Sequence, residues 1–325
     1  MASNDKEIVI DLVPFLRTYK NGTVERLISS PYLPPSPENN PTDGVCSKDI
    51  TISPHVSARI YLPSQALTTT NKLPVLVYYH GGGFCLESAF CALFHSYVNS
   101  IVSKSQSIIA ISVEYILAPE NPLPAAYEDS WVALNWVTSH FDQETYPKNK
   151  DQWLLDFANF HKLYIGGDSA GGNIAHNMAI RAGIEKLKGG VKIHGAFLSH
   201  PHFWGSKAIR SEPSENRDAS WLSRVWKVVY PDSPGGDDNP MMNPFVDGAP
   251  RIAGLGVRKL LVLVSSDNDE MFDRGVDYVE QVKNSGWGGD VELVEYKGDG
   301  HCFNLFNPDC DDSEDFISRL VYFIR

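Results

Sequence analysis

The sequence predicts an α/β protein built on a mostly parallel, doubly wound sheet. Three observations carry this reading: short apolar, β-branched runs recur down the chain, stretches with helical spacing separate them, and the runs are continuous rather than alternating. Continuous apolar character is what strands buried on both faces look like, and strand–helix alternation makes such strands parallel.

Taken in order, residues 1–45 stand outside that rhythm. An apolar stretch at 8–19 reads as an amphipathic helix, and a proline-rich link follows at 31–41. Strands are expected at 75–79 and 108–113, each an unbroken apolar run. A helix is expected at 125–140, where apolar residues fall at helical spacing. A strand at 162–165 then feeds a helix at 170–182, and another strand lies at 193–199. Residues 203–250 break the rhythm again, with Trp204, Trp221, Trp226, Tyr230 and Phe245 around a turn-rich segment at 231–240. Beyond it come a strand at 259–264, a helix at 272–285 and a strand at 291–296. A last helix at 316–324, capped near Asp311 and Ser313, closes the chain. The two irregular segments, 1–45 and about 203–250, read as caps above the strand ends, where open α/β sheets bind ligands; the alternative is helices that only pack the core.

Length admits two domains, but a single α/β domain over 1–325 with inserted caps is the expectation. A net charge of −12 argues against a phosphate-neutralising surface, so no nucleic acid is expected as partner. No run approaches the length of a membrane span, and the N-terminus lacks the basic and apolar regions of a secretory signal, so a cytoplasmic protein is expected. The five cysteines are an odd number without a CxxC pair, which suits reduced thiols rather than a disulfide frame or metal site. Asn21-Gly22-Thr23 matches a glycosylation sequon by chance on that reading.

The chemistry concentrates in three places. Gly167-Asp168-Ser169-Ala170-Gly171 matches G-x-S-x-G between an expected strand and an expected helix, the setting of a nucleophile elbow. A serine hydroxyl is a weak nucleophile at neutral pH and needs a base, and the base needs a third group to hold it. Asp269, just past the strand at 259–264, and His301, in the loop 298–303 after the last strand, supply both in the order Ser, Asp, His. Asp267 is the competing acid. Tyr78-Tyr79-His80-Gly81-Gly82-Gly83 sets a glycine triplet directly after a strand, and the amides of Gly81, Gly82 and Ala170 are assigned to an oxyanion hole. No Lys-Ser/Thr follows the glycines and no G-x-G-x-x-G occurs, so neither a phosphate loop nor a dinucleotide fold is indicated. His80 is expected to shape the loop through ring hydrogen bonds. Asp168 is read as satisfying backbone donors at the turn, and Cys85 and Cys302 as small buried fillers.

These stretches resemble the hormone-sensitive-lipase-like group of α/β hydrolases, and within it the plant carboxylesterases. The matching residues are His80 to Phe84, Tyr115 to Glu120, Pro124 to Asp129, Gly166 to Asn173, Asp269 to Gly275 and Gly300 to Phe303, spread from about residue 55 to the end. The resemblance implies an α/β-hydrolase fold and hydrolysis of small-molecule carboxylic esters or related plant metabolites through an acyl-enzyme, with no cofactor and no metal. Ile116, Asn268 and Phe272 depart from the group's usual Arg, Lys and Arg. The spacing from Asp269 to Gly275 favours Asp269 over Asp267, leaving Asp273 to hold the loop or cap the next helix. Relatives that dehydrate 2-hydroxyisoflavanones, or act as cyclases or lyases on alkaloids, make elimination or cyclisation the alternative. Gibberellin-receptor relatives lack the triad histidine, which this chain keeps as His301. Phe84, Cys85, Trp204, Trp221 and Trp226 are candidate pocket walls, read equally well as core.

Overall fold

In the computed structural model, residues 7–36, 43–297 and 300–325 are described. Residues 7–36 hold no helix. They form a small antiparallel sheet of β1 (Ile8–Leu12), β2 (Leu16–Tyr19) and β3 (Val24–Arg26), so the helix expected at 8–19 is corrected to a hairpin. The physical reason is local. Pro14 has no N–H to give a helix ladder and occupies the turn instead, while Leu12 and Leu16 pair across it and both point into the core. Of the proline-rich link, Pro37 to Pro41 lies outside the described residues, as do Gly298 and Asp299 of the histidine loop.

The main sheet has eight strands. β4 (Val45–Thr51) and β5 (Ser57–Pro63) form an antiparallel edge that the sequence reading did not anticipate. They are followed by β6 (Leu73–Tyr79), α1 (Ala92–Ser105), β7 (Ile109–Glu114), α2 (Ala125–Thr138), α3 (Gln152–Phe157), β8 (Ala158–Asp168), α4 (Ala170–Ile184) and β9 (Ile193–Ser199). The remaining elements are α5 (Trp221–Val229), β10 (Lys259–Ser265), α6 (Phe272–Asn284), β11 (Asp290–Tyr296), α7 (Phe303–Phe306) and α8 (Asp311–Ile324). Strand order is β11-β10-β9-β8-β6-β7-β5-β4, parallel from β11 through β7.

Both faces of the sheet are covered. Along β6, Val75, Val77 and Tyr79 enter one core with residues of α2, α4 and α6, while Leu76 and Tyr78 enter a second with residues of α1 and α8. That two-sided burial is why the strands read as unbroken apolar runs. β7 follows β6 on one side and β8 adjoins it on the other, so the direction of winding reverses between β6 and β8. A crevice opens at such a switch point, outside the carboxyl ends of the strands. Gly81, Ser169, Asp269 and His301 all follow carboxyl ends of parallel strands.

The two irregular segments meet above that crevice. Phe15 of the N-terminal hairpin lies 5.8 Å, ring to ring, from Trp221 of α5, and Arg224 donates to the Asp11 carbonyl. Arg26 ties the hairpin down by donating to the carbonyls of Cys85 and Ala118 and to both oxygens of Glu120.

Candidate active site

Ser169 sits at φ 55° and ψ −117°, a conformation that a side-chain-bearing residue adopts only when its surroundings force it. The surroundings are backbone. A Cβ on Gly171 would stand 1.9 Å from the Tyr79 carbonyl oxygen, and one on Gly167 would stand 2.2 Å from the same atom. Only glycine lets β8 and α4 close so tightly on the end of β6. The turn is then pinned, with the Ser169 amide donating to the Ser199 carbonyl and its own carbonyl accepting from the amides of Asn173 and His202.

The chain brings the three separated groups together. His301 Nε2 is 2.9 Å from Ser169 Oγ, and His301 Nδ1 is 3.0 Å from Asp269 Oδ2. With Nδ1–H donating to the carboxylate, Nε2 is left to accept the serine proton. Asp269 also accepts the Met271 amide through Oδ1 at 2.9 Å. Burial by itself would push the Asp269 carboxyl up, but the charge and hydrogen bond of His301 outweigh it and hold the group below its ordinary value. Among the described residues Asp267 is exposed and accepts only from Ser266, so the geometry selects Asp269 between the two.

Gly81 and Gly82 lie across from Ser169, and a Cβ on Gly81 would be 3.5 Å from the Ser169 Cβ. Among the described residues neither glycine amide donates to a backbone carbonyl. Ala170 opens α4, where a first-turn amide has no intrahelical acceptor. His80 is fully buried, stacks on Tyr115 at 4.2 Å and bonds the Gly81 carbonyl through Nδ1 at 2.7 Å. Burial pushes its pKa down to about 4, so it stays a neutral loop support.

Asp168 departs from expectation: it accepts from side chains, not from backbone donors. Tyr78 Oη (2.7 Å), Ser199 Oγ (2.5 Å) and Asn304 Nδ2 (2.9 Å) all converge on its carboxylate. One buried acid thereby joins the strand before the glycine triplet, the strand before His200 and the turn after His301. Burial outweighs those donors and raises its pKa. His200 and Cys302 present ligand-type atoms nearby, but the carboxylate is already committed and burial keeps the thiol protonated, which does not suit a cation. Asp273 holds the loop, accepting from both the amide and hydroxyl of Ser211.

A cavity of ≈ 360 Å³ contains Ser169, His301 and the glycine triplet in its wall, and its surface is overwhelmingly apolar. Of the candidate wall residues, Cys85 and Trp221 line it; Phe84, Trp204 and Trp226 do not and are buried. Phe84 packs instead against Tyr127, His202 and Trp226. Sequence reasoning missed Phe15, Ile28, Glu87 and Phe306 in the wall. Nothing periodic marks them, since they reach the site from three separate segments, Phe15 and Ile28 from the N-terminal one, Glu87 from the loop after the glycine triplet and Phe306 from α7.

A family model described as the alpha/beta hydrolase fold matches residues 76–305, and the chain belongs to that family. Within it, the chain is 52% identical to a 2-hydroxyisoflavanone dehydratase of Glycyrrhiza echinata, over 99% of this chain and 98% of that protein. It is 39% identical to probable carboxylesterase 13 of Arabidopsis thaliana, over 99% of each. Among solved structures it is similar to an esterase of Pyrobaculum calidifontis, with a TM-score of 0.66 and 28% identity over 86% of this chain and 84% of that one.

Proposed function

We propose that the chain is a serine carboxylesterase acting on small-molecule esters. Ser169 attacks the ester carbonyl as His301 takes its proton, and Asp269 holds the imidazole and balances its charge. The amides of Gly81, Gly82 and Ala170 receive the oxyanion, each such donor being worth about 3 to 4 kcal/mol of barrier. His301 then protonates the leaving alcohol, and water, activated by the same imidazole, releases the acid. The observation that carries this reading is the continuous path from Asp269 through His301 to Ser169, at 3.0 and 2.9 Å, opening into an apolar cavity. The reading needs no cofactor, and an odd number of cysteines without a CxxC pair suits a cytoplasmic setting.

A second reading is elimination of water from a β-hydroxy ketone, favoured by the dehydratase relative. There His301 would take a proton from the carbon beside the carbonyl while the three amides hold the enolate oxygen; the enolate would then re-form the carbonyl and break the β C–O bond, the imidazolium returning its proton to the departing hydroxyl as water, with Ser169 only a hydrogen-bonding group. The two readings part at the acyl-enzyme. Incubation with short-chain aryl esters, with mass detection of an adduct on Ser169, tests the first. Ester turnover with an acylated Ser169 supports it; turnover of β-hydroxy ketones with no ester turnover and no adduct rejects it.

A further inference from the structure

The cavity wall around Ser169 is apolar with one exception. Among the described residues Glu87 is its only acidic side chain, and apart from the His301 imidazole they place no basic group in the wall. The nearby Arg26 is outside the wall and bound by both oxygens of Glu120. Glu87 is held in place from two directions. Its backbone is in the left-handed region at φ 67°, unusual for a residue with a side chain, and Ser30 of the N-terminal segment donates to the carboxylate through its amide and its hydroxyl, each at 3.2 Å. The Cys91 thiol is a third donor, and three donors still leave a carboxylate with an unused lone pair.

Glu87 is half-buried and makes no ion pair among the described residues, and a left-handed backbone at such a point is where a ligand contact is expected. Around it stand the rings of Phe15, Phe94, Trp221 and Phe306, whose faces attract a cation as a carboxylate does. The chain as a whole carries a net charge of −12, which draws cations to the crevice and repels anions.

We propose that Glu87 is a specificity-determining residue, and that the cavity takes substrates carrying a protonated amine in preference to neutral ones, with carboxylates last. The inference rests on the hydrolytic reading of the same site for its kinetic form. It does not depend on hydrolysis for its binding form. A substrate that fills a cavity of ≈ 360 Å³ meets all its walls, so its cationic group lies beside Glu87 while its carbonyl lies at Ser169. Coulomb attraction over about 7 Å in a half-solvated cavity corresponds to roughly a tenfold preference.

The test uses two aryl esters of equal shape, one ending in trimethylammonium and the other in tert-butyl, and reads the ratio of their kcat/KM values. The expected ratio is about ten for the wild type, falling toward one in Glu87→Gln, where Gln keeps an oxygen for Ser30. Raising the salt concentration should shrink the wild-type ratio, a readout that needs no variant. If neither ester turns over, the hydrolytic reading has failed, and calorimetric binding of the matching unreactive ethers still measures the preference. A wild-type ratio of one, or a ratio untouched by both Glu87→Gln and salt, overturns the proposal.

Discussion

Acidification should unfold this protein well before its carboxylates are protonated, because five of its six buried histidines, His140 being the sixth and also lowered by burial, are held far below their ordinary value and cannot follow the pH. His80, His95, His176, His200 and His202 are all buried. Burial pushes the first two down to about 4 and the last three to about 3. In the unfolded chain each returns to about 6.5. Between those values the unfolded state binds protons that the native state refuses, so stability is intact above the unfolded value and is lost as pH falls below it. By pH 5 each histidine has cost about 2 kcal/mol, and any native value of 4 or lower gives nearly the same loss. Five amount to about 10 kcal/mol, against a total stability of roughly 5–15 for a domain. Half-buried Glu114 and buried Asp168 work the other way: burial raises both, so the native state takes up protons first and recovers some stability on acidification. Asp269, held below its ordinary value, contributes stability that is lost only at still lower pH. The assay is the urea midpoint by circular dichroism from about pH 7.5 to about pH 5, with His202→Phe as comparison. The midpoint should fall steeply in the wild type, and the fall should shrink by about 2 kcal/mol in the variant, whose lost imidazole has no hydrogen-bond partner among the described residues. A midpoint level across that range, or equal slopes in the two proteins, would refute the reasoning.

Other outcomes follow from the site. Ser169→Ala and His301→Ala should each lower ester turnover by several orders of magnitude with the fold intact by circular dichroism; near-normal kcat in either rejects the assignment. Asp269→Asn should lower kcat by about 10⁴ with little change in KM, since an amide at Oδ2 favours the wrong imidazole tautomer. Gly171→Ala places a methyl 1.9 Å from the Tyr79 oxygen, so the elbow must open, and both the melting temperature and turnover should drop. Phe84→Ala should cost about 3–5 kcal/mol in denaturant unfolding, because the ring is fully buried; Trp221→Ala, in the cavity wall, should mainly raise KM.

Particular elements show how far the sequence could be read. The strands expected at 75–79, 193–199, 259–264 and 291–296 are present with shifts of at most two residues at their ends, because burial on both faces leaves an unbroken apolar signature. β4 and β5 escaped because they form the antiparallel edge, where polar residues such as Ser47, Lys48, Asp49 and Arg59 interrupt the run. Arg59 shows why composition misleads there: it is fully buried, yet pairs with Asp49 and bonds His95. The hairpin at 8–19 was mistaken for a helix because apolar residues at both spacings occur in so short a stretch, and only pairing with a partner strand distinguishes them.

By itself the sequence determined the order of the parallel strands, the elbow glycines and the residue types of the Ser, Asp and His set. These are local matters, decided by backbone sterics and by burial along one segment. Tertiary structure alone decided that Asp168 gathers donors from three elements and that Glu87 enters a wall shared with the N-terminal hairpin and α5, and it added the imidazole contact to the Asp269 that spacing already favoured over Asp267. Each of those depends on distances between segments far apart in the chain, which packing sets and no single segment encodes.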